Sequence, residues 1–418
     1  MYAKTKQLIS HFANDSLYRN SLYLILSTAV MSFFGFFFWV INAKLYSTEQ
    51  IGLATALISL TALLNGFSLL GLNAGLVRFL PLHPNRDELI STVLTLVGVV
   101  SIIITAFYVG FINIFSPSLL FIKTDLFFAF FFTIFVALSA INMMTDSIFL
   151  ALKTTKYIFI YNSLYSITRL LLPVLLVSFG AMGIFLAHSF GVIICLFLTL
   201  YFLYTKFKYT FKFTIHLNII QEIGKFSFGN YFANFIGGLP SALFPLIILN
   251  QLGAKASAYY YMDMMIVGLL YMVPISISQS LFAESSHEEH KLKEFIIKSL
   301  KLNALLLIPA IVVILIAGKY VLLVFGKDYS IEGVGFLNLM ALSSLTVPFN
   351  YILGVYFKIL KKTKYITIVA AIGAVVTLTS SYVLLHYGLL GIGWGLIIGQ
   401  IAQIIFYALI LSYLKTKN

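Results

Sequence analysis

The chain of 418 residues has one cysteine, Cys195, and only 10% charged residues. A single thiol excludes an internal disulfide framework and a metal cluster held by several cysteines. Soluble domains carry roughly 25% charged residues, so this composition excludes an ordinary soluble domain. The sequence also lacks a glycine-rich phosphate loop, a Walker lysine and a nucleophile–base constellation. We therefore predict that the protein is not an enzyme and needs no cofactor.

Long apolar runs are abundant instead, because hydrophobic residues make up 61% of the chain. A transmembrane helix needs about 20 consecutive apolar residues. Runs of this length lie at about 21–43, 51–76, 89–113, 126–151, 157–179, 182–204, 227–250, 258–283, 296–317, 333–357, 365–386 and 389–413. The first run has full spanning length, so we interpret it as a retained helix and not as a cleavable signal. The sequence predicts an all-α polytopic membrane protein with twelve transmembrane helices.

The net charge of +13 follows the predicted topology. With a cytoplasmic N-terminus, the inside segments hold 21 of the 27 lysines and arginines and the outside loops hold five, which leaves Arg169 within a span. The positive-inside rule then places both termini in the cytoplasm of a multi-pass plasma-membrane protein. Because topology accounts for the basic excess, we predict no nucleic-acid partner.

The sequence repeats itself with a shift of 208 residues. Residues 153–157 (KTTKY) return as 361–365 (KKTKY), and the same shift places Gly180, Gly183 and Gly191 on Gly388, Gly391 and Gly399. An even number of helices in each copy gives both copies one orientation. We predict an N-terminal six-helix lobe at 1–204, a cytoplasmic linker at 205–226 and a parallel C-terminal six-helix lobe at 227–418. Such halves typically rock against each other around a central site.

The polar loop Glu284 to Glu294 contains the string His287-Glu288-Glu289-His290. The zinc motif His-Glu-x-x-His places two imidazoles four residues apart on one helix face, whereas these two are three apart. Ser286 and Glu289 have the spacing of a capping box for the next helix. We predict capping at this loop, and no metal site.

Polar residues inside the predicted spans are the candidate substrate-binding residues, because an ionisable group at mid-membrane is costly. Arg169 lies near the middle of the fifth helix on one face with Asn162 and Ser166, and the fourth helix carries Ser139, Asn142 and Asp146 at the same spacing. Two interpretations remain open for Asp146 and Arg169: a structural ion pair, or a role in binding substrate.

Further candidates lie on three other helices. Helix seven carries Asn230 and Asn234 on a polar stripe with Lys225 at its cytoplasmic entrance, Arg78 ends the second helix, and Gln279 lies near the end of the eighth. Polar and small residues also serve ordinary helix packing, and Arg78 could equally anchor in the headgroups. The predicted substrate-binding set is Arg78, Asp146, Arg169, Lys225, Asn230, Asn234 and Gln279.

Together these stripes predict a water-filled, weakly cationic cavity between the halves. Arginine grips phosphate or diphosphate through paired donors, and asparagine and serine suit sugar hydroxyls. The aromatic residues outside the stripes are interpreted as interface belts and lipid-facing bulk. These are Phe36, Phe37, Phe38, Tyr259, Tyr260 and Tyr261.

Three short motifs carry a resemblance to a known family. They are residues 43–54 (AKLYSTEQIGLA), residues 323–329 (LVFGKDY) and the two Lys-x-Thr-Lys-Tyr loops. They resemble motifs of the Wzx-type polysaccharide flippases, which share a superfamily with multidrug-toxin extruders and lipid II flippases. The resemblance implies a MATE-like fold, alternating access, and transfer of a polyprenyl-diphosphate oligosaccharide from the cytoplasmic to the outer leaflet for surface polysaccharide assembly. The implied partners are the bilayer, the lipid-linked oligosaccharide, and a glycan polymerase or glycosyltransferases.

Two departures favour the oligosaccharide branch of that superfamily. Lipid II flippases typically have fourteen helices and arginines in the first, whereas this chain has twelve predicted helices and no basic residue between Asn20 and Asn42. Drug extruders usually place a carboxylate in the N-terminal cavity, and here only Asp146 could substitute for it. The alternatives are a cation-coupled multidrug or metabolite antiporter and a structural scaffold for a glycan assembly complex.

Overall fold

The computed structural model describes residues 16–416, except for the side chains of residues 16, 17, 225, 226, 228–230, 232–234, 287 and 415. The side chains of Lys225, Asn230 and Asn234, which the sequence predicts to bind substrate, therefore lie outside the described residues. Between residues 16 and 416 all regular structure is helical.

Twelve helical stretches in the described part of the chain are long and apolar enough to cross a membrane, which confirms the all-α prediction of twelve spans. The helices are α1 (Ser16–Leu45), α2 (Thr48–Ser68), α3 (Arg86–Gly110), α4 (Leu126–Ala151), α5 (Lys156–Leu175), α6 (Ala181–Phe207), α7 (Leu217–Leu252), α8 (Ala254–His287), α9 (Leu292–Leu323), α10a (Val334–Ser343), α10b (Val347–Ile359), α11 (Thr363–Val383) and α12 (Leu389–Thr416).

Two predicted spans are interrupted in the structure. The run at 51–76 ends as α2 at Ser68, because Leu70 and Gly71 adopt left-handed φ angles of 49° and 73° before a short helix at Leu72–Phe79. The run at 333–357 is split into α10a and α10b. Around this second break, hydroxyls of Ser343, Ser344 and Thr346 donate to nearby backbone carbonyls and so compete with the helical ladder.

The predicted capping box after the eighth helix is wrong. Ser286 still belongs to α8, and its hydroxyl donates to the carbonyl of Phe282 one turn earlier. A 3₁₀ turn at Glu289–Lys291 follows, and Lys291 precedes α9. Lys291 pairs with Glu288 at 2.5 Å, and this hydrogen bond lowers the pKa of the exposed Glu288 carboxyl. The loop is held by a local ion pair.

The chain packs as two compact units. The first comprises the described residues up to Gln50 together with Leu57–Tyr231, and the second comprises Ile51–Ala56 and the described residues from Phe232 onward. Helix α7 runs through the predicted lobe boundary at 227 without a break. The functional division into 1–204, 205–226 and 227–418 stays a prediction.

The sequence repeat is also a repeat of local structure. Lys153 and Lys361 both adopt a left-handed conformation, with φ of 53° and 56°. The next amide donates to the carbonyl of Phe149 in the first unit and Phe357 in the second, at 2.9 Å in both. Each of these pairs is related by the same shift of 208 residues, so the two connectors are built alike.

Two of the three repeated glycine pairs have equivalent structural roles. Gly180 and Gly388 precede α6 and α12 with φ of 56° and 64°. A Cβ atom at Gly183 would overlap the carbonyl oxygen of Leu176, and one at Gly391 would overlap that of Leu384. Both positions therefore require glycine, because the preceding 3₁₀ turn approaches the helix backbone directly.

Several aromatic residues that the sequence assigned to lipid-facing positions are buried. Phe38, Tyr259 and Tyr260 are 1%, 8% and 3% exposed, whereas Phe37 is 41% exposed. Tyr260 packs on Phe336 with ring centroids 5.5 Å apart. The interpretation as lipid-facing bulk is therefore wrong for the three buried rings, since helix orientation depends on neighbours that the sequence does not show.

Candidate functional site

The first unit contains a polar cavity of about 270 Å³ among α1, α2, α4, α5 and α6. The i, i+4 spacing of the stripes brings their polar members to this space. Its polar lining residues are Thr61, Asn65, Ser139, Asn142, Asp146, Asn162, Tyr165, His188 and Cys195.

Asparagine side chains tie the helices of this cavity together. The Asn65 amide donates to Ser139 Oγ at 2.9 Å, and the Asn162 amide donates to Ser27 Oγ at 3.0 Å. The carbonyl oxygens of Asn65 and Asn142 are buried and have no hydrogen-bond partner in the described part of the chain. Buried amide oxygens are rarely left unpaired, so these two are available to a donor on a ligand.

Asp146 and Arg169 do not form the structural ion pair that the sequence left open. The carboxylate of Asp146 accepts a hydrogen bond from the Tyr161 hydroxyl. Among residues 16–416, the ion pairs lie elsewhere and none joins Asp146 to Arg169. The carboxylate therefore lines the cavity without a cationic partner from the described residues.

Arg169 is held by aromatic rings. Its guanidinium carbon lies 4.0 Å from the ring centroid of Phe38, and Nη1 donates to the Tyr165 hydroxyl at 3.3 Å. The Tyr165 hydroxyl lies 2.8 Å from His188 Nδ1. A guanidinium over an aromatic face is attracted by the ring quadrupole. Arg169 thus reaches the cavity through Tyr165 and is not itself a lining residue.

Arg78 lies apart from this cavity. It is exposed near the end of the short helix Leu72–Phe79, with its guanidinium carbon 5.5 Å from the Phe79 ring centroid. The structure therefore places Arg78 and Arg169 at two different sites.

The second unit contains a larger cavity of about 480 Å³ among α7, α8, α10b, α11 and α12. The predicted residue Gln279 lies here. The other polar lining residues are Ser278, Asn350, Tyr351, Lys358, Gln403 and Tyr407. Lys358 is the cation of this lining, and its ammonium lies 5.9 Å from the Phe282 ring centroid.

The two cavities are built from equivalent positions. The shift of 208 residues relates Asn142 to Asn350, and both line their cavities with an unpaired, buried amide oxygen. It also relates Asp146 to Gly354 and Cys195 to Gln403, which likewise line the two cavities. The repeat therefore produced two related polar sites, one with a carboxylate and one with an ammonium.

Sequence reasoning missed several lining residues. Lys358 had been assigned to a cytoplasmic loop, because the predicted span ended at 357, whereas α10b continues to Ile359. Tyr165 and His188 lie within apolar runs of the sequence, so the polar stripes do not include them. A histidine within a spanning segment was a signal, since intramembrane ionisable residues are functional candidates.

The chemistry of the two linings differs. Amide and hydroxyl groups in both can exchange hydrogen bonds with a hydroxylated ligand. Lys358 adds affinity for an anionic group, and Asp146 adds affinity for a proton or cation. Within the described residues, no cluster of three histidine, cysteine or acidic side chains could hold a metal ion.

Comparison with solved structures places this fold among membrane transporters. The chain is similar to the lipid II flippase MurJ in an inward closed conformation, with TM-score 0.75, 17% identity, and coverage of 94% of this chain and 87% of that one. It is similar to an inward-facing MATE multidrug resistance transporter, with TM-score 0.71, 14% identity, and coverage of 94% and 99%. A transporter of the same superfamily from Pyrococcus furiosus has TM-score 0.63, 14% identity, and coverage of 94% of each chain.

No protein-family model matches the sequence, and no curated protein is similar to it at a significant level. The solved structures show that the chain has the fold of the multidrug/oligosaccharidyl-lipid/polysaccharide transporters. Because no family model or curated relative matches, a proposal for its substrate has to rest on the residues of this chain.

Proposed function

We propose, starting from this shared fold, that the protein is a flippase for a lipid-linked oligosaccharide. It moves the polyprenyl-diphosphate sugar head from the cytoplasmic to the outer leaflet by alternating access, while the lipid tail stays in the bilayer. Both termini lie in the cytoplasm, and the exported head supplies a glycan polymerase or glycosyltransferases. The observation that carries the proposal is the lining of the second-unit cavity, which contains three amide side chains and one ammonium group.

The cavity suits a sugar head that carries an anionic group. Its volume of about 480 Å³ falls within the roughly 300–1,000 Å³ of small-molecule sites. Gln279, Asn350 and Gln403 offer donors and acceptors to sugar hydroxyls, and Lys358 offers a point charge to a phosphate oxygen. Gly354 lies between Asn350 and Lys358 on α10b and adds no side chain to this lining.

The first-unit residues have complementary roles in this proposal. Asn142 and Asn162 bind hydroxyls, and Arg169 orients Tyr165 at the cavity wall. Arg78, Lys225, Asn230 and Asn234 belong to the proposed substrate path on the sequence argument alone.

The test is transport by the purified protein in proteoliposomes. A fluorescent undecaprenyl-diphosphate oligosaccharide is loaded in both leaflets, and the sugar that becomes accessible to an external lectin is followed over time. Lys358→Ala should lower the initial rate at least about tenfold, because a hydrogen bond to a charged group contributes about 1.5–3 kcal/mol. Gln279→Ala should lower it less. Lys301→Ala removes an exposed lysine that lines neither cavity and serves as the matched control. Equal rates for empty liposomes and wild-type protein would contradict the proposal.

A cation-coupled multidrug or metabolite antiporter is the second candidate. The observation that favours it is the Asp146 carboxylate on the wall of the first cavity, without a cationic partner among the described residues. This function predicts uptake of a cationic dye into the same proteoliposomes under a proton or sodium gradient, and loss of that uptake in Asp146→Asn. Dye transport without oligosaccharide transfer would favour the antiporter over the flippase.

A further inference from the structure

A second acidic residue of the spanning helices lies in a quite different setting from Asp146. Asp263 is on α8 and is 0% exposed. Neither of its carboxylate oxygens has a hydrogen-bond partner, and no ion pair involves it in the described part of the chain. It belongs to neither cavity lining described above.

The wall in front of this carboxyl is a glycine in an irregular turn. Gly333 ends a π-helical turn at Tyr329–Gly333, and a Cβ atom built on it would lie 3.0 Å from both Asp263 oxygens. The same turn places the Tyr329 ring edge-to-face on Tyr259, one helical turn before Asp263, with centroids 5.3 Å apart. Single π turns occur frequently at functional sites.

The elements packed around Asp263 offer it no charge partner within ion-pairing distance among the described residues. Helix α10a carries no titratable side chain, and Lys319, Asp328 and Glu332 are exposed. Lys358 on α10b lines the second cavity. The other charged side chains of these elements are all exposed, namely Lys255, Glu284, Lys293, Glu294, Lys298, Lys301 and Lys327. The remaining titratable groups are the tyrosines 259, 260, 261, 271, 320, 329, 351 and 356. A carboxylate that is buried without a partner is so costly that it takes up a proton instead.

We propose that Asp263 is a proton-binding site of the second unit. Its carboxyl carries a proton while Gly333 packs against it, and releases the proton when the turn at Tyr329–Gly333 moves aside and admits water. An ionisable residue inside a spanning helix is energetically costly, so such a residue is a candidate for a functional role. The site is separate from Asp146 and does not depend on which substrate the protein carries.

Infrared spectroscopy of the protein in lipid nanodiscs tests this directly. Wild-type protein should show a carbonyl band of a protonated carboxylic acid at neutral pH, and this band should be lost in the nearly isosteric Asp263→Asn. The matched control Asp146→Asn should keep it. Identical spectra of wild type and Asp263→Asn across the titration would overturn the proposal. Loss of the band on adding sodium at constant pH would also overturn it, in favour of a cation site.

Two glycine variants test the role of the turn. Gly333→Ala pushes a methyl group against the carboxyl and should move the midpoint of the band by about one pH unit, the equivalent of a tenfold change in proton affinity. Gly335→Ala is the control, because its Cβ would meet only Leu390 Cδ2 at an ordinary 3.6 Å. Equal midpoints in the two variants would exclude Gly333 as the gate.

Discussion

The two units place an acidic residue of their spanning helices in opposite surroundings. Asp146 in the first unit lines a polar cavity and accepts a hydrogen bond from Tyr161. Asp263 in the second unit is fully buried, and its carboxylate has no hydrogen-bond partner among the described residues. The two cavities also differ in the charge of their lining residues. The position of Asp146 is occupied by Gly354 in the second cavity, which has Lys358 one turn further along. The repeat therefore kept its backbone while the chemistry of its polar sites diverged.

Substitution of the equivalent glycines of the two units should have the largest effect, because it tests whether their backbones are built alike. Gly183→Ala and Gly391→Ala should each destabilise the protein by about 3 kcal/mol or more, because both new methyl groups overlap a backbone carbonyl that cannot move aside cheaply. The measurement is the yield of monodisperse protein in detergent and its melting temperature. Gly35→Ala, with nothing within 4 Å of its new Cβ, should behave as wild type. If Gly391→Ala had the yield and melting temperature of wild type while Gly183→Ala lost both, the two glycines would not be structurally equivalent.

The next largest effect should come from truncating the two carboxyls, because Asp146 and Asp263 should differ in what they contribute to stability. Asp146→Ala leaves the buried Tyr161 hydroxyl without its acceptor and should cost about 2 kcal/mol of stability. Asp263→Ala removes no hydrogen bond, so its cost should stay below about 1 kcal/mol. Melting temperatures at matched pH decide the point. A larger loss at Asp263 than at Asp146 would show that the buried carboxyl has a strong partner after all.

Transferring the carboxylate from one cavity to the other tests their chemical difference. Gly354→Asp places an acid one helical turn before Lys358, where an i, i+4 pair neutralises the ammonium. Oligosaccharide transfer should fall about tenfold, the loss expected from about 1.4 kcal/mol of binding free energy. Gly354→Asn, of equal size and without charge, is the control. An equal loss in both variants would assign the effect to volume and not to charge.

The smallest effect concerns the cation of the first unit. The guanidinium of Arg169 lies over Phe38, and such contacts contribute about 0.5–2 kcal/mol. A double-mutant cycle with Arg169→Met and Phe38→Leu should give a coupling energy of about 1 kcal/mol in thermal unfolding. The equivalent position in the second unit is Thr377, so Thr377→Val should leave stability nearly unchanged. A coupling energy near zero would mean that Trp39 and Tyr165 hold the guanidinium without a contribution from Phe38.

The family-like motifs have structural roles in this fold. Ser47 and Gln50 form a reciprocal capping box at the start of α2. The Tyr46 hydroxyl donates to the carbonyl of Pro173 at 2.6 Å, and burial raises the pKa of Tyr46 to about 12, so the donor keeps its proton at neutral pH. In the other motif, Gly326 adopts φ of 146° just before the π turn that carries Tyr329. These residues specify the architecture, which is why they point to a fold more firmly than to a substrate.

The sequence predicted the helices well and their irregularities poorly. Spans are visible because about 20 apolar residues in a row have one stable solution in a bilayer. The break at Leu70 and Gly71, the continuation of α8 through Ser286 and the π turn at Tyr329–Gly333 depend on local backbone states that an apolar run does not encode. Site residues followed the same rule: the i, i+4 stripe of Ser139, Asn142 and Asp146 was readable, whereas contacts across helices were not.

The amino-acid sequence alone determined that the chain is an all-helical membrane protein, and it revealed the repeat of 208 residues. Both follow from composition and pattern, which act along the chain. Only the tertiary structure decided that Arg169 rests on Phe38 and not beside Asp146, that Lys358 faces a cavity, and that Asp263 has no partner among the described residues. Those outcomes depend on how each helix is rotated against its neighbours, and that rotation is set by packing across the fold.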